Sequence, residues 1–175
     1  MYLKTHARVV SALLVREMAT RFGRRPGGYI WAFLEPAAHI FLLTMLFQVV
    51  SRAPALGTSF PLFFATGYLG FQFYQGVVTY VSGGLSSNKA LLNYPNVAPI
   101  DTLFARFVLQ IITLAFVSLV VLVAISQTLR TDLTLNWYYI FESVIAASLL
   151  GLGTAMLNTV LFLKSPFYES LYNII

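Results

Sequence analysis

The chain has 175 residues, of which 58% are hydrophobic and only 10% are charged. Soluble domains are about 45–50% apolar and about 25% charged, so this chain has too few charged side chains to cover itself with a polar surface. Lipid must solvate much of it, which excludes an ordinary soluble domain. Cysteine is absent, and this excludes disulfides and thiolate metal sites.

The net charge of +5 comes largely from the N-terminal segment. Six of the eleven basic residues precede the first long apolar segment: Lys4, Arg8, Arg16, Arg21, Arg24 and Arg25. A basic block beside a membrane segment is typical of an orientation signal that also contacts anionic lipid. We therefore expect membrane lipids as partners and no nucleic acid.

Residues 5–22 carry an apolar stripe at spacings of three and four, which predicts an amphipathic helix. The stripe consists of Val9, Val10, Leu13, Leu14, Met18 and Phe22, and Arg8, Arg16 and Arg21 lie largely off it. Such a helix either lies in the membrane interface or packs on the ends of neighbouring spans. Pro26 and two glycines then break it.

Four long apolar segments follow, at about 29–50, 60–82, 103–125 and 138–163. Each is roughly 33 Å or more long as a helix, which matches a bilayer core of about 30 Å. The predicted fold is all-α: a polytopic transmembrane helical protein with an N-terminal amphipathic interface helix and four spans. Residues 1–28 form the cytoplasmic N-terminal part and residues 29–175 the transmembrane domain.

The basic residues also predict the orientation of these spans. With the N-terminus in the cytoplasm, nine of the eleven Lys and Arg residues lie on the inner side, and only Arg52 and Arg130 lie in the outer loops. Cytoplasmic loops are enriched in Lys and Arg. We expect a multi-pass inner-membrane protein whose N-terminus is cytoplasmic.

Ionisable residues within membrane segments are functional candidates because they are costly to insert. Glu35 and His39 lie four residues apart in the first span, so they share one side of a helix. One interpretation is a structural ion pair of Glu35 and His39 with Arg106, although Arg24 or Arg25 would serve as the partner of Glu35 equally well. The alternative is a proton relay through Glu35 and His39.

The second span contains eight aromatic residues together with two glutamines. Aromatic faces stack on sugar rings, and amides bind their hydroxyl groups. Tyr68, Phe71, Gln72 and Gln75 are therefore candidate sugar-facing residues, although ordinary lipid-facing aromatic belts would give the same pattern.

The fourth span has a small or hydroxyl-bearing residue at every fourth position, which predicts a helix-packing face. These residues are Ser143, Ala147, Gly151, Ala155 and Thr159.

The loop at residues 83–102 joins the second and third predicted spans. Residues 86–94 predict a short helix capped by Ser or Asn, which would serve either as a docking element or as a plain connector. The sequence contains no phosphate-binding G-x-x-x-x-G-K-[ST] motif and no catalytic constellation. We therefore expect transport without chemistry in this chain, and not an enzyme.

Two segments have distinctive sequences. One runs from Arg16 to Gly23 and continues from Gly28 to His39, with the sequence G-Y-I-W-A-F-L-E-P-A-A-H. The other is L-N-Y-P-N-V-A-P-I-D-T at 92–102, followed by Arg106. Together they resemble the ABC-2 type permease subunits of capsular polysaccharide exporters. The two segments resemble O-antigen and teichoic-acid exporters more weakly. A non-transporting membrane scaffold is a further alternative.

The resemblance implies a homodimeric permease that exports lipid-linked polysaccharide, with ATP and Mg²⁺ bound in a separate ATP-binding ABC subunit and no cofactor in this chain. Periplasmic export partners are also implied. By position, the contact with the ATP-binding subunit carries over to Arg16, Glu17, Arg21, Ser86, Lys89, Leu92, Tyr94 and Asp101. The family has six spans, whereas this chain stops at Ile175, where a fifth would start; the resemblance therefore implies a truncated or partial chain.

Overall fold

The structure of the protein is a computed structural model that describes residues 2–22, 27–57, 59–89, 91–93, 97–129 and 135–172. Every regular element in these residues is a helix. In chain order they are α1 (Tyr2–Phe22), α2 (Gly28–Val50), α3 (Phe60–Ser82), α4 (Gly84–Ser87), a 3-10 turn (Leu91–Asn93), α5 (Pro99–Leu129), α6 (Trp137–Lys164) and α7 (Pro166–Tyr172). The predicted all-α class is confirmed.

Helices α2, α3, α5 and α6 lie on the four predicted apolar segments. Within the described residues, three of these helices are long and apolar enough to cross a membrane: α2, α5 and α6. Helix α3 has the same 23-residue length as α2 but is not among them. Its role as a fourth span stays a prediction.

The position of α3 explains why it is less apolar. It packs against α2, α5 and α6, and seven of its residues are buried, from Ala65 to Ser82. A helix surrounded by protein on several sides needs less lipid-compatible surface than a peripheral one. Polar side chains on α3 find partners on its neighbours or on α3 itself: the Tyr80 hydroxyl donates to Glu17 of α1, and Gln72 donates to the Tyr68 hydroxyl on the same helix.

Two apolar clusters hold the bundle together. In one, Ile40 of α2 and Val117 and Val121 of α5 pack on Ala65 and Leu69 of α3. In the other, residues from α3, α5 and α6 meet: Val77, Val81, Leu103 and Ala155. Helix α2 thus covers the first half of α3, and α6 covers the second half.

Helices α3 and α6 approach closely at Gly151. A Cβ at this position would lie 2.9 Å from the carbonyl oxygen of Tyr74 and 3.1 Å from Cβ of Val77. One turn and two turns further along α6, Ala155 and Thr159 are buried, and the Thr159 hydroxyl lies 3.2 Å from the carbonyl oxygen of Ser82, to which it donates. The predicted packing face is therefore used within this chain along its second half, whereas Ser143 is exposed.

Helix α1 packs against α5 at one end of the bundle, which we call the α1 end. Among its residues 8–21, Leu13 and Glu17 are the buried ones, while Met18 of the predicted stripe is 43% exposed. Of the predicted stripe, Leu13 is therefore buried against the bundle and Met18 is not, and Glu17, one turn after Leu13, is buried with it. Of the two predicted placements, the structure has α1 packed on the ends of neighbouring helices.

The helix predicted over residues 86–94 is wrong in its bounds. The structure has the single turn of α4, which ends at Ser87, and the separate 3-10 turn at residues 91–93. The side chain of Asn88 donates to the carbonyl oxygen of Gly84 at 3.0 Å. An asparagine that bonds the preceding turn in this way competes with helix continuation, so α4 ends there.

Candidate functional site

The candidate site is a buried polar cluster at the α1 end, centred on the carboxylate of Glu17. Three donors from different parts of the fold converge on it. Asn88 Nδ2, just after α4, lies 2.7 Å from Oε1, and Arg106 Nε on α5 lies 3.1 Å from the same oxygen. The Tyr80 hydroxyl on α3 donates to Oε2 at 3.0 Å. We call these four residues the Glu17 junction.

Two arginines of α1 also bind the bundle beside this junction. Arg16 Nη1 donates to Asn88 Oδ1 at 2.8 Å, so the amide of Asn88 is held from both ends by adjacent residues of one helix. Arg21 Nη1 donates to Gln110 Oε1 at 2.5 Å. The Arg21 guanidinium also lies over the Tyr80 ring, 4.1 Å from its centroid.

Arg106 completes the connection between α3 and α5. Its Nη1 donates to the carbonyl oxygen of Tyr80 at 3.0 Å, and its guanidinium lies 4.8 Å from the centroid of the same tyrosine ring. Cationic groups are attracted to aromatic faces at this distance. One arginine thus binds a carboxylate on α1 and both the backbone and the ring of a residue on α3.

The environment of Glu17 stabilises its charged form. Burial by itself raises the pKa of this carboxyl group, but the hydrogen bond from Asn88 and the positive charge of Arg106 outweigh that effect, so the pKa is lowered from its usual value of 4.5. A carboxylate that accepts several hydrogen bonds behaves in this way. Glu17 is therefore ionised at neutral pH although it is only 6% exposed.

Close backbone packing brings α4 to this cluster. A Cβ on Gly84 would lie 2.8 Å from Leu103 Cδ2 and 3.3 Å from Arg106 Cδ. A side chain at this position would therefore have to displace the side chain of Leu103 or Arg106. The position of Asn88, one turn after Gly84, depends on that approach.

The candidate ion pair of Glu35, His39 and Arg106 is not the arrangement found. Arg106 binds Glu17, 89 residues away in the sequence. Glu35 and His39 are both exposed, and His39 Nδ1 lies 3.0 Å from the Glu35 backbone carbonyl. The His39 ring stacks on Tyr68 at 5.1 Å. The prediction is wrong for Arg106, because the apolar run does not reveal which helices meet at the α1 end. The alternative partners Arg24 and Arg25 lie outside the described residues.

The residues expected to contact an ATP-binding subunit separate into buried and exposed groups. Glu17 and Asp101 are buried, at 6% and 5% exposure, and Asp101 Oδ2 accepts the backbone N–H of Ala98. Lys89 is exposed, Ser86 and Leu92 are half-buried, and Tyr94 lies outside the described residues. Arg16 and Arg21 bind the bundle as described above.

A groove of about 700 Å³ runs along the first half of α3, away from the α1 end. Its lining is mostly apolar and aromatic, and it includes Tyr68 and Phe71 of the candidate sugar-facing set. Gln72 Nε2 donates to the Tyr68 hydroxyl at 2.7 Å, and Gln75 is half-buried outside this lining. A sugar-binding role for these four residues stays a prediction.

Within the described part of the chain, no group of three or more His, Asp or Glu residues is arranged to hold a metal ion. The cluster at the α1 end has three arginines and one carboxylate, a composition suited to holding elements together and unsuited to binding a cation.

Sequence reasoning overlooked the roles of Tyr80, Asn88 and Gln110. One signal was available: Glu17 follows Leu13 by four residues and Leu14 by three, which places a carboxylate on the apolar stripe of α1. A charged residue at such a position needs a buried partner. The identity of the partner was not readable, because the donors lie 63 to 89 residues away.

The helices and this cluster define a polytopic α-helical membrane protein in which helix α1 is hydrogen-bonded to one end of the bundle. Comparison with known proteins shows which membrane proteins are similar to this chain. The chain is 38% identical to the polysialic acid transport protein KpsM of Escherichia coli over 113 residues, which are 65% of this chain and 43% of KpsM. It is 28% identical over 167 residues to the capsule polysaccharide export inner-membrane protein CtrC of Neisseria meningitidis serogroup B, covering 94% of this chain and 63% of CtrC.

A third relative is the capsule polysaccharide export inner-membrane protein BexB of Haemophilus influenzae, 34% identical over 110 residues, which are 62% of this chain and 41% of BexB. No family model matches the chain. The resemblance found in the residues is confirmed: the chain is a homologue of inner-membrane proteins of capsule polysaccharide export. It spans between about two fifths and three fifths of the length of these relatives.

Proposed function

We propose that this chain belongs to the permease subunit of an ATP-driven exporter that moves capsular or related polysaccharide, in lipid-linked form, across the inner membrane. The observation that carries the proposal is the similarity to inner-membrane proteins of capsule polysaccharide export along up to 94% of the chain. The helical bundle, with three helices that are able to span a membrane, supports it.

In this proposal the α1 end faces the cytoplasm and binds a separate ATP-binding subunit that carries ATP and Mg²⁺. The bias of basic residues toward this end supports the orientation. We call the α4 turn together with the exposed Lys89 the docking surface, and Lys89 supplies it with a positive side chain. Reversal of its charge in Lys89→Glu should therefore weaken coupling between ATP hydrolysis and export.

A second copy of the permease completes the proposed transporter, with polysaccharide passing between the two copies. Many large apolar residues are exposed on the single chain, among them Phe41 and Leu42 of α2 and Phe116 of α5. Lipid and the second copy would cover such surface in the membrane. Partners in the periplasm would receive the exported chain.

The test is deletion of the gene that encodes this chain, followed by complementation. We expect loss of surface polysaccharide with accumulation of polymer inside the cell, and restoration by the wild-type gene. The same internal accumulation is expected when the partner ATP-binding subunit is catalytically inactive. Export that continues with the inactive ATP-binding subunit would contradict the proposal and favour a non-transporting scaffold.

A further inference from the structure

We propose that Glu17 is a positioning residue that couples the docking surface beside α4 to the membrane helices, so that movement of the α4 turn is passed to α3 and α5 through one carboxylate. This inference rests on the proposed function, because it concerns how force from a partner subunit would enter the permease. It assigns Glu17 an internal role in place of a direct contact with that partner.

The first step of the connection joins the docking surface to α1. Lys89 is exposed, and the residue before it, Asn88, is 3% exposed. Asn88 accepts a hydrogen bond from Arg16 and donates one to Glu17, at 2.8 Å and 2.7 Å. Because both ends of this amide are bound to consecutive residues of α1, the α4 turn cannot shift without pulling α1 or breaking two charge-assisted bonds.

The second step joins α1 to the bundle. The same carboxylate accepts from Arg106 of α5 and from the Tyr80 hydroxyl of α3. Arg106 in turn donates to the backbone carbonyl of Tyr80, so the two helices are fixed to each other at the same place. A displacement of Glu17 therefore acts on α3 and α5 together.

The third step concerns the stiffness of this connection. Gly84 leaves no space between α4 and Leu103 or Arg106, and the side chains of Arg106 and Glu17 are only 10% and 7% exposed. Breaking a buried pair leaves an uncompensated charge, which is strongly unfavourable. The elements that meet at the junction consequently move as one body in preference to separating.

Burial also excludes the simpler role for Glu17. Its carboxylate is surrounded by residues of this chain, so a docked subunit does not reach it while the junction is intact. Exposed neighbours such as Lys89 remain accessible to a partner. Glu17 thus acts through Asn88, Arg106 and Tyr80 and not through contact with the ATP-binding subunit.

The experiment measures polysaccharide exported per ATP hydrolysed by the full-length permease reconstituted with its ATP-binding subunit. The variants are Glu17→Gln, which removes the charge but keeps the shape, and Asn88→Leu, which cuts the link between α4 and α1. The matched control is Glu142→Gln, the same chemical change at an exposed carboxylate of α6. We expect both variants to bind the ATP-binding subunit and hydrolyse ATP, while export per ATP falls about tenfold or more.

A purely structural role would lower protein amount, ATP hydrolysis and export together and leave the ratio of export to hydrolysis unchanged, which would overturn the inference. An unchanged ratio in stable variants would overturn it as well. If Glu17→Gln fails to accumulate in the membrane, Asn88→Leu decides, because it leaves the carboxylate paired with Arg106 and Tyr80. Absence of ATP-dependent export by the wild-type complex would instead refute the proposed function itself.

A second measurement follows the mechanical link directly. Hydrogen exchange of the permease with and without its ATP-binding subunit should show protection of both α1 and residues 84–88 on docking. In Asn88→Leu the protection should remain at residues 84–88 and disappear from α1. Protection of α1 that is unaffected by Asn88→Leu would show that the subunit contacts α1 independently, and the inference would fall.

Discussion

At the scale of single residues, Glu17 and Arg106 form a buried ion pair whose partners depend on each other. Such pairs contribute little net stability, since desolvation offsets their attraction, but loss of one partner typically costs about 3–5 kcal/mol. The side chains are 3.1 Å apart and largely buried. We therefore expect strong coupling between substitutions at the two positions.

A double-mutant cycle tests this coupling. Each of Glu17→Leu and Arg106→Leu should destabilise the protein by about 3–5 kcal/mol, because each leaves an unpaired buried charge. The double variant should cost clearly less than the sum of the two, as neither charge remains. Denaturant unfolding of the protein in detergent measures all four, with Glu142→Leu as the exposed control. Additive losses would show that the two charges do not interact.

The same carboxylate gives a prediction about pH. The pKa of Glu17 is lower in the folded protein than its ordinary value of 4.5, so the unfolded chain binds more protons in this range and stability falls with falling pH. The stabilisation is complete above pH 4.5 and is lost as pH decreases through the folded value. The difference in melting temperature between wild type and Glu17→Gln should therefore shrink below pH 4.5. A constant difference from pH 7 to pH 4 would contradict this.

At the scale of helices, the contact between α3 and α6 depends on one position without a side chain. Gly151 lies against the Tyr74 backbone carbonyl and Val77, and neither the backbone nor a buried valine moves easily. Small residues at helix interfaces allow this close approach where lipid supplies no hydrophobic driving force.

Replacement of Gly151 by alanine should push α6 away from α3 and destabilise the protein by about 1–3 kcal/mol. The matched control is Gly153→Ala on the same helix, where an added Cβ meets nothing within 4 Å and helix propensity favours alanine by about 1 kcal/mol. Melting temperatures of the two variants in detergent should therefore change in opposite directions. Equal changes would mean that the approach at Gly151 is not tight.

The helices were predictable from sequence for a simple reason. Long apolar runs are sufficient to place α2, α3, α5 and α6, because a chain in lipid must satisfy its backbone within each helix. The short elements between them were not predictable to the same degree. Asn88 ends α4 through its bond to the Gly84 carbonyl, and its side chain also bonds to Glu17 and Arg16. These two partners lie 71 and 72 residues away, which periodicity does not record.

The candidate site was likewise predictable only in part from the sequence. The sequence signal for Glu17, a carboxylate beside Leu13 and Leu14 on α1, was overlooked, and Glu35 was the candidate partner for Arg106 because it lies within a span. Glu35 is nevertheless exposed. The position of a residue within an apolar stretch therefore does not tell whether its side chain faces the interior of the bundle or its outer surface.

At the scale of the whole molecule, polar interactions concentrate at one end and exposed apolar surface covers the long helices. The Glu17 junction and its neighbouring arginines lie at the α1 end, while the groove with Tyr68 and Phe71 lies toward the other end of α3. The excess of basic residues predicts that the α1 end is the cytoplasmic one.

The absence of cysteine allows a direct test of that orientation with single introduced cysteines. Lys89→Cys at the α1 end and Arg52→Cys after α2 are both at exposed positions. In intact spheroplasts a membrane-impermeant maleimide should modify Arg52→Cys and leave Lys89→Cys unmodified until the membrane is permeabilised. Because α2 is long enough to cross the membrane, these two positions should lie on opposite sides, and each serves as the control for the other. Modification of Lys89→Cys in intact spheroplasts would place the docking surface outside the cytoplasm, where no ATP-binding subunit reaches it.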